Sequence, residues 1–126
     1  MRNDVHVVLD DTAMVAAGKG SLLASSLIHR ASSQPGWFLY APTCALIAAD
    51  RSRPGTAAHL AALPGVLILE LDLPAALAVA REATWASAHA RHSAQPTPDR
   101  PSGAMIATAD PNAWKDTPVR VLDISP

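Results

Sequence analysis

The sequence contains few aromatic residues, a single cysteine and no long apolar run. Three Trp, one Tyr and one Phe in 126 residues predict a core of aliphatic side chains. The lone Cys44 excludes an internal disulfide framework and a zinc site built from several thiolates, and it is typical of a reducing cytosol. No segment approaches the roughly 20 apolar residues of a membrane-spanning helix, so we expect a cytoplasmic protein with no membrane span.

An excess of positive charge is also absent. Ten Lys and Arg residues against eleven Asp and Glu residues give a net charge of −1. This balance excludes the strong positive field of a basic nucleic-acid-binding protein, so any contact with nucleic acid must be local. A length of 126 residues suffices for one hydrophobic core and predicts a single domain, residues 1–126.

Short apolar runs alternate along the chain with segments of helical periodicity. The predicted strands are Val5 to Leu9, Trp37 to Tyr40, Val66 to Leu71, Gly103 to Thr108 and Val119 to Ile124. The predicted helices are Thr12 to Gly18, Ser21 to Ser32, Thr43 to about Arg53, Thr56 to Ala62, Leu73 to Arg81 and Thr84 to Ser93, with a helical turn at Pro111 to Trp114. Because parallel strands need crossover connections, this order predicts an α/β fold, a three-layer α/β/α sandwich with a central parallel sheet of about five strands.

Carboxylates follow two of the predicted strands at the edge where ligands bind in such sheets. Asp10 follows the first strand and Asp110 follows the fourth. A hard divalent cation uses oxygen ligands of this kind. Aspartate is equally typical of helix N-caps, so the sequence leaves both interpretations open.

Four segments, taken together and in order, resemble a known family. They are Val7-Val-Leu-Asp-Asp-Thr-Ala-Met-Val-Ala-Ala17, Tyr40-Ala-Pro-Thr-Cys-Ala-Leu-Ile-Ala-Ala49, Trp85-Ala-Ser-Ala-His-Ala-Arg-His-Ser-Ala94 and Ala104-Met-Ile-Ala-Thr-Ala-Asp-Pro111. This series resembles the PIN domains of VapC-type toxins over nearly the whole chain. Each motif alone is weak, but four at the right spacing are fairly specific.

The resemblance implies a PIN fold in which acidic residues gather one or two Mg²⁺ or Mn²⁺ ions to hydrolyse RNA phosphodiesters. By resemblance, Asp10 matches the family's first-strand acid, Asp110 matches the aspartate of its Thr-x-Asp segment, and Thr108 matches the threonine, as a hydrogen-bonding support. The resemblance also implies a homodimer and an antitoxin-like or regulatory protein partner.

Two further acidic positions of the family are neutral in this sequence. The family's glutamate position falls on Ala48, and the aspartate that precedes the third quoted segment is Thr84. Asp50 and Glu82 each lie two residues from these positions, which turns them about 200° around an α-helix. Asp11 and Asp10, as adjacent residues at a strand end, point in opposite directions. We therefore expect metal affinity and hydrolysis to be weak or absent, with Asp10 and Asp110 as a vestigial pair.

Other reactive side chains fit structural roles better than chemical ones. His89 and His92 lie on one helical face, but no third ligand is spaced to complete a metal site, and we expect His89 to be buried against Trp85. His6 is expected to pack within the first strand, and Cys44 to be a small buried apolar side chain. Five arginines, Arg51, Arg53, Arg81, Arg91 and Arg100, could form a phosphate-contacting rim or could be scattered surface charge.

Two functional hypotheses follow. The first is a catalytically degenerate PIN-like protein that acts by binding RNA or a protein partner, with an apolar groove near Ala13, Ala17, Leu22 and the helix that starts at Thr43. The alternative is a Mg- or Mn-dependent ribonuclease toxin of a toxin–antitoxin system with a reorganised site. That enzyme would need a third carboxylate from Asp11, Asp50, Asp72 or Glu82 in addition to Asp10 and Asp110.

Overall fold

Five strands lie side by side in the computed structural model, which describes residues 4–126. Residues 1–3 of the predicted domain lie outside the described residues. The strands are β1 (Val5–Leu9), β2 (Trp37–Pro42), β3 (Val66–Leu69), β4 (Met105–Thr108) and β5 (Val121–Asp123). The helices are α1 (Asp11–Gly18), α2 (Leu22–Ser33), α3 (Thr43–Ser52), α4 (Thr56–Ala61), α5 (Leu73–Val79) and α6 (Trp85–Ser93), and Pro111–Trp114 forms a 3₁₀ turn.

The sheet has the order β3-β2-β1-β4-β5, and every pair of neighbours is parallel. β1 lies in the centre, where Val7 pairs with Leu39 of β2 and Val8 pairs with Ile106 of β4. The carboxyl ends of β1 and β4 are therefore adjacent. This arrangement confirms the α/β fold class and the parallel sheet of five strands.

Alternate residues of the strands pack against two helical layers. One side of the sheet presents Val7, Leu9 and Leu39 to the cluster that contains the buried residues of α1, α2, α3 and α4. The opposite side presents Val8, Tyr40 and Ile106 to Ala90 and Ala94 from α6 and its C-cap, together with Trp114. The period of two along a strand separates these side chains, and the result is the three-layer sandwich.

Local hydrogen bonds determine where the helices begin. The Asp10 carboxylate accepts the Ala13 N–H and caps α1, Ser21 caps α2, and the Asp72 carboxylate accepts the Ala75 N–H at 2.9 Å and caps α5. The first helix begins at Asp11, one residue before the predicted start at Thr12, because Asp10 provides its N-cap.

Three strands are shorter than the sequence predicts. β5 spans Val121–Asp123 rather than Val119 to Ile124, and its pairing with β4 ends at Thr108. β3 ends at Leu69 rather than Leu71, because Leu69 pairs with Pro42 and β2 gives way there to α3. β4 begins at Met105 rather than Gly103, because the Ala104 N–H donates to the Ala94 carbonyl instead of to a neighbouring strand. A Cβ at Gly103 would lie 2.4 Å from that same carbonyl oxygen. The segment from Ala94 to Ala104 is therefore tightly packed at a position where only glycine fits.

No helix formed by residues 4–126 combines the length and hydropathy that a bilayer crossing requires.

Candidate functional site

Asp10 lies at the carboxyl end of β1, and its carboxylate is already occupied by hydrogen bonds within the protein. Oδ1 accepts the Ala13 N–H at 2.8 Å and the Thr12 hydroxyl at 2.7 Å. Oδ2 accepts the Trp114 indole N–H at 2.9 Å. Asp10 is only 2% exposed and Trp114 only 5% exposed. Three donors around a buried carboxylate satisfy most of its accepting capacity before any ligand arrives.

Thr12 and Thr108 connect the ends of β1 and β4. The Thr12 Oγ1 lies 3.1 Å from the Thr108 Oγ1 and accepts the Ala109 N–H at 2.9 Å. The Thr108 Oγ1 accepts the Asp110 N–H at 3.0 Å, and Thr108 is fully buried. The predicted support role of Thr108 corresponds to these contacts, since its hydroxyl orders the loop that carries Asp110.

Asp110 and Asp11 lie near Asp10 but differ from it in environment. Asp110 is exposed at the start of the 3₁₀ turn, and its side chain caps no backbone N–H there. Asp11 is half-buried in the first turn of α1. Burial raises the pKa of Asp11, and the nearby carboxylates of Asp10 and Asp110 raise it further. The three acids therefore share one region of negative potential.

The other carboxylates proposed as a third ligand have separate structural roles. The Asp50 Oδ1 accepts the Gly55 N–H at 3.0 Å and the Ala57 N–H at 3.1 Å, which fixes the start of α4. Asp72 caps α5. Glu82 lies 3.5 Å from Arg91 in an ion pair on the surface. Asp50 and Glu82 therefore have partners of their own. Glu82 lies between α5 and α6 rather than on a helix, so the argument from helical rotation does not apply to it.

The two neutral positions offer no replacement charge. Ala48 is half-buried in α3, and Thr84 is exposed at the N-cap of α6, where its side chain makes no capping hydrogen bond. Within residues 4–126, no group of three His, Cys, Asp or Glu side chains is placed to hold a metal ion. The residues present therefore do not fit the two-metal centre that the resemblance implies.

His89 has an unexpected partner. Its Nδ1 accepts the Cys44 N–H at 3.2 Å, so a side chain of α6 satisfies a free backbone donor at the N-terminus of α3. Burial lowers the pKa of His89, and the neighbouring His92 lowers it further. His89 is 1% exposed as expected, but Trp85 is 69% exposed, so the prediction that this tryptophan covers the histidine is wrong.

Cys44 and His6 have structural environments, as the sequence predicts. Cys44 is 4% exposed, and burial raises the pKa of its thiol. The His6 Nδ1 lies 2.8 Å from the Tyr40 hydroxyl, and its ring stacks on Phe38 with 5.0 Å between centroids.

Three of the five candidate arginines contact different parts of the fold. Arg91 pairs with Glu82, Arg53 lies beside Gly18, and Arg100 lies over the Tyr40 ring with its Cζ 4.7 Å from the centroid. These partners belong to different parts of the fold. Scattered charge is therefore the better description.

The predicted groove is partly closed. Ala13 is fully buried and Ala17 is 7% exposed, so both belong to the core rather than to an open surface. Leu22 is 87% exposed and Leu23 is 51% exposed, in the first turn of α2. An exposed apolar surface is therefore present at Leu22 and Leu23, but Ala13 and Ala17 do not contribute to it.

Trp114 and Thr12 were missed as members of the site. A tryptophan four residues after the strand-end Asp110 indicates a buried aromatic side chain, but its bond to Asp10 spans 104 residues of sequence. No local pattern reveals such a partner.

Comparison with protein-family models finds no match, and comparison with curated proteins finds none either. The resemblance to PIN domains therefore stays a prediction based on the four quoted segments.

Proposed function

We propose that this chain is a PIN-like domain without nuclease activity that acts by binding a protein partner. The observation that carries the proposal is the state of Asp10. Its carboxylate accepts hydrogen bonds from Ala13, Thr12 and Trp114 and is 2% exposed. A metal ion at this position would have to displace at least one of these donors, and Ala48 and Thr84 supply no charge in return.

Exposed leucines support a protein partner over RNA. Leu22 and Leu23 project from the first turn of α2, and Leu73 and Leu77, four residues apart on one face of α5, are 71% and 56% exposed. Apolar side chains of this kind are typical of surfaces that bind an apolar helix. RNA binding depends on clustered basic side chains, and the arginines here are dispersed among separate partners.

The first experiment tests for a metal. Isothermal titration with Mn²⁺ should give no saturable binding at millimolar concentration, and a labelled RNA panel should stay intact with Mg²⁺ or Mn²⁺. Asp10→Asn is the matched variant, because it keeps the size of the side chain and removes the charge. Saturable Mn²⁺ binding that this variant abolishes would contradict the proposal.

The second experiment tests for a partner. The tagged chain is recovered from its native host, and co-purified proteins are compared between the wild type and the double variant Leu22→Ser/Leu23→Ser. The double variant Leu73→Ser/Leu77→Ser is the matched control for lost exposed leucines. We expect one specific protein to be lost with Leu22→Ser/Leu23→Ser and retained with Leu73→Ser/Leu77→Ser, and equal recovery with both variants would contradict a partner surface at α2. Recovery of RNA alone would favour the other binding hypothesis.

A second candidate function is the Mg- or Mn-dependent endoribonuclease. One observation favours it: Asp10 and Asp110 follow neighbouring strands and are connected through Thr12 and Thr108. If the wild type inhibits growth on overexpression and Asp10→Asn relieves the inhibition, this candidate replaces the first. A harmless wild type removes its main support.

A further inference from the structure

The β3 strand lies at one edge of the sheet, with β2 as its neighbour on the inner side. Alternate residues of a parallel strand bond to the neighbouring strand, so the remaining residues of β3 present their N–H and C=O groups outward. Within residues 4–126, no backbone group of Val66–Leu69 bonds to a segment other than β2. The outer side of β3 can therefore accept a further strand.

The sequence of β3 does nothing to prevent such pairing. Edge strands of globular proteins usually carry a lysine, a proline or a bulge that blocks a second chain. β3 reads Val-Leu-Ile-Leu, and its two central residues, Leu67 and Ile68, are 45% and 38% exposed. At the opposite edge, β5 ends at the charged Asp123, whose carboxylate accepts the N–H and the hydroxyl of Ser125. β3 is therefore the more open of the two edges.

A positive charge lies beside the amino end of β3. Gly65, directly before the strand, packs against the last turns of α2, since a Cβ there would lie 2.8 Å from both the Ala31 carbonyl carbon and the Ser32 nitrogen. The residue before Ala31 is Arg30, which is exposed. Its Cζ lies 4.9 Å from the centroid of the Trp37 ring at the start of β2. The Arg30 guanidinium is thus held near this end of the edge.

Negative charge lies at the carboxyl end of the same strand. Glu70 follows β3 directly, Asp72 lies two residues further on, and both are exposed. Among the residues that the structure describes, neither Glu70 nor Arg30 takes part in an ion pair. The edge is therefore basic at one end, acidic at the other and apolar in between.

We propose that β3 pairs with β3 of a second copy of this chain, antiparallel and across a twofold axis, so that the two five-stranded sheets join into one. Antiparallel pairing places the acidic end of each edge beside the basic end of the other, and Glu70 of one copy meets Arg30 of the other copy twice. This charge pattern is complementary to itself, which favours a second copy over an unrelated extended peptide. The proposal does not depend on the proposed function.

The twofold symmetry restricts the register of this pairing. An axis perpendicular to the sheet keeps each face of the sheet on its own side, so a residue can pair only with one of the same face. The axis therefore passes through either Leu67 or Ile68, and that residue faces its own equivalent. Because a strand of four residues makes a small interface, we expect a dimer that dissociates in the micromolar range.

Sedimentation velocity with charge variants tests the pairing. The wild type should change from monomer to dimer as its concentration rises from low micromolar to near millimolar. Glu70→Arg and Arg30→Glu should each weaken the dimer by about tenfold or more, because two repulsive contacts replace two attractive ones. The double variant Glu70→Arg/Arg30→Glu should restore it. Glu82→Arg, which makes the same charge change away from the edge, should leave the dimer unchanged.

Three outcomes of the sedimentation series would overturn the proposal. The first is a wild type that stays monomeric at every concentration, and the second is a double charge variant that associates no better than the single variants. The third is a series of species larger than a dimer, because a twofold interface closes on itself. Restoration by the double variant also excludes misfolding as the cause of the single-variant losses.

Cysteine cross-linking tests the position of the axis. Leu67→Cys and Ile68→Cys are incubated separately with oxidised glutathione, and one of them should form a disulfide-linked dimer readily, because a disulfide needs Cα atoms about 4.4–6.8 Å apart. The native Cys44 is only 4% exposed and does not compete. Val121→Cys, on the β5 edge at 37% exposure, is the control for random collisions. Cross-linking of neither β3 variant, or of neither faster than Val121→Cys, would contradict the pairing.

Discussion

The charged groups of Asp10 and Arg100 differ in how far the protein satisfies their hydrogen-bonding atoms. The Asp10 carboxylate accepts hydrogen bonds from three donors of the same chain, whereas the Arg100 Nε is buried without an acceptor among residues 4–126. A buried carboxylate that accepts several hydrogen bonds contributes to folding, whereas a buried donor without an acceptor keeps the cost of its lost hydration. The comparison indicates that a charged residue at a strand end is not by itself a sign of a working site.

The most direct way to break this comparison is to remove the Asp10 carboxylate. Asp10→Ala should lower the free energy of unfolding by about 2–4 kcal/mol, because α1 loses its cap and the buried Trp114 N–H loses its acceptor. Urea denaturation measures the change. Asp72→Ala, which removes only the cap of α5, should lower it by about 1 kcal/mol. An Asp10→Ala protein as stable as the wild type would show that this carboxylate is held for a ligand instead.

The next largest effect concerns the other end of the same hydrogen bond. Trp114→Phe keeps an aromatic ring but removes the indole N–H, and it should lower the free energy of unfolding by about 1–2 kcal/mol. In the double variant Asp10→Ala/Trp114→Phe, the two losses should be less than additive, because both remove one interaction. Strict additivity in the urea series would contradict a bond between these side chains.

A smaller effect is expected from His89. Burial lowers the pKa of His89 below its ordinary value of 6.5 in the folded protein. The unfolded chain therefore binds a proton first, so stability is complete above about pH 6.5 and is lost as the pH falls through the folded-state pKa. His89→Gln should flatten this acid limb and, by weakening the bond to Cys44, lower the free energy of unfolding by about 1 kcal/mol at pH 7.5. If His92→Gln reduced the loss of stability at acid pH by the same amount, the assignment of this pH dependence to His89 would be wrong.

The smallest effect should come from Asp11, and it has the opposite sign. Its pKa is raised by burial and by the carboxylates of Asp10 and Asp110, so the folded protein holds the proton more tightly than the unfolded chain. Stability is therefore greatest below the ordinary pKa of 3.8 and falls as the pH rises through the folded-state value. Asp11→Asn should be slightly more stable than the wild type at pH 7 in thermal denaturation. A less stable variant would show that the favourable position of this charge at the start of α1 dominates.

The order of strands and helices was predictable because each has a local signal. Val5 to Leu9 is bounded by polar residues, Pro and Gly pairs separate the segments, and β1 has the predicted bounds. The ends of β3 and β4 were not predictable, because they depend on the length of a neighbouring strand and on the Ala94 carbonyl.

The candidate site was predictable only in part. The sequence identified Asp10 and Thr108 but not the bond from Trp114 to Asp10 or the contact between Thr12 and Thr108, since each joins residues about a hundred positions apart. Arg100 was noted only as one arginine among five. The contact of its guanidinium with the Tyr40 ring depends on a closed turn at Thr97 and on a residue of a distant strand, and neither has a local signature in the sequence.

The hydrogen bond between the Trp114 indole and the Asp10 carboxylate also bears on protein engineering. Substituting glutamate for Ala48 and aspartate for Thr84 would add the two carboxylates that the PIN resemblance assigns to these positions. Trp114 would still donate to one oxygen of Asp10, and the first turn of α1 would still donate to the other. A third change, at Trp114, is needed before that carboxylate can accept a new partner. A metal site engineered at Asp10 would therefore reduce stability, because the change at Trp114 removes a donor to the buried carboxylate.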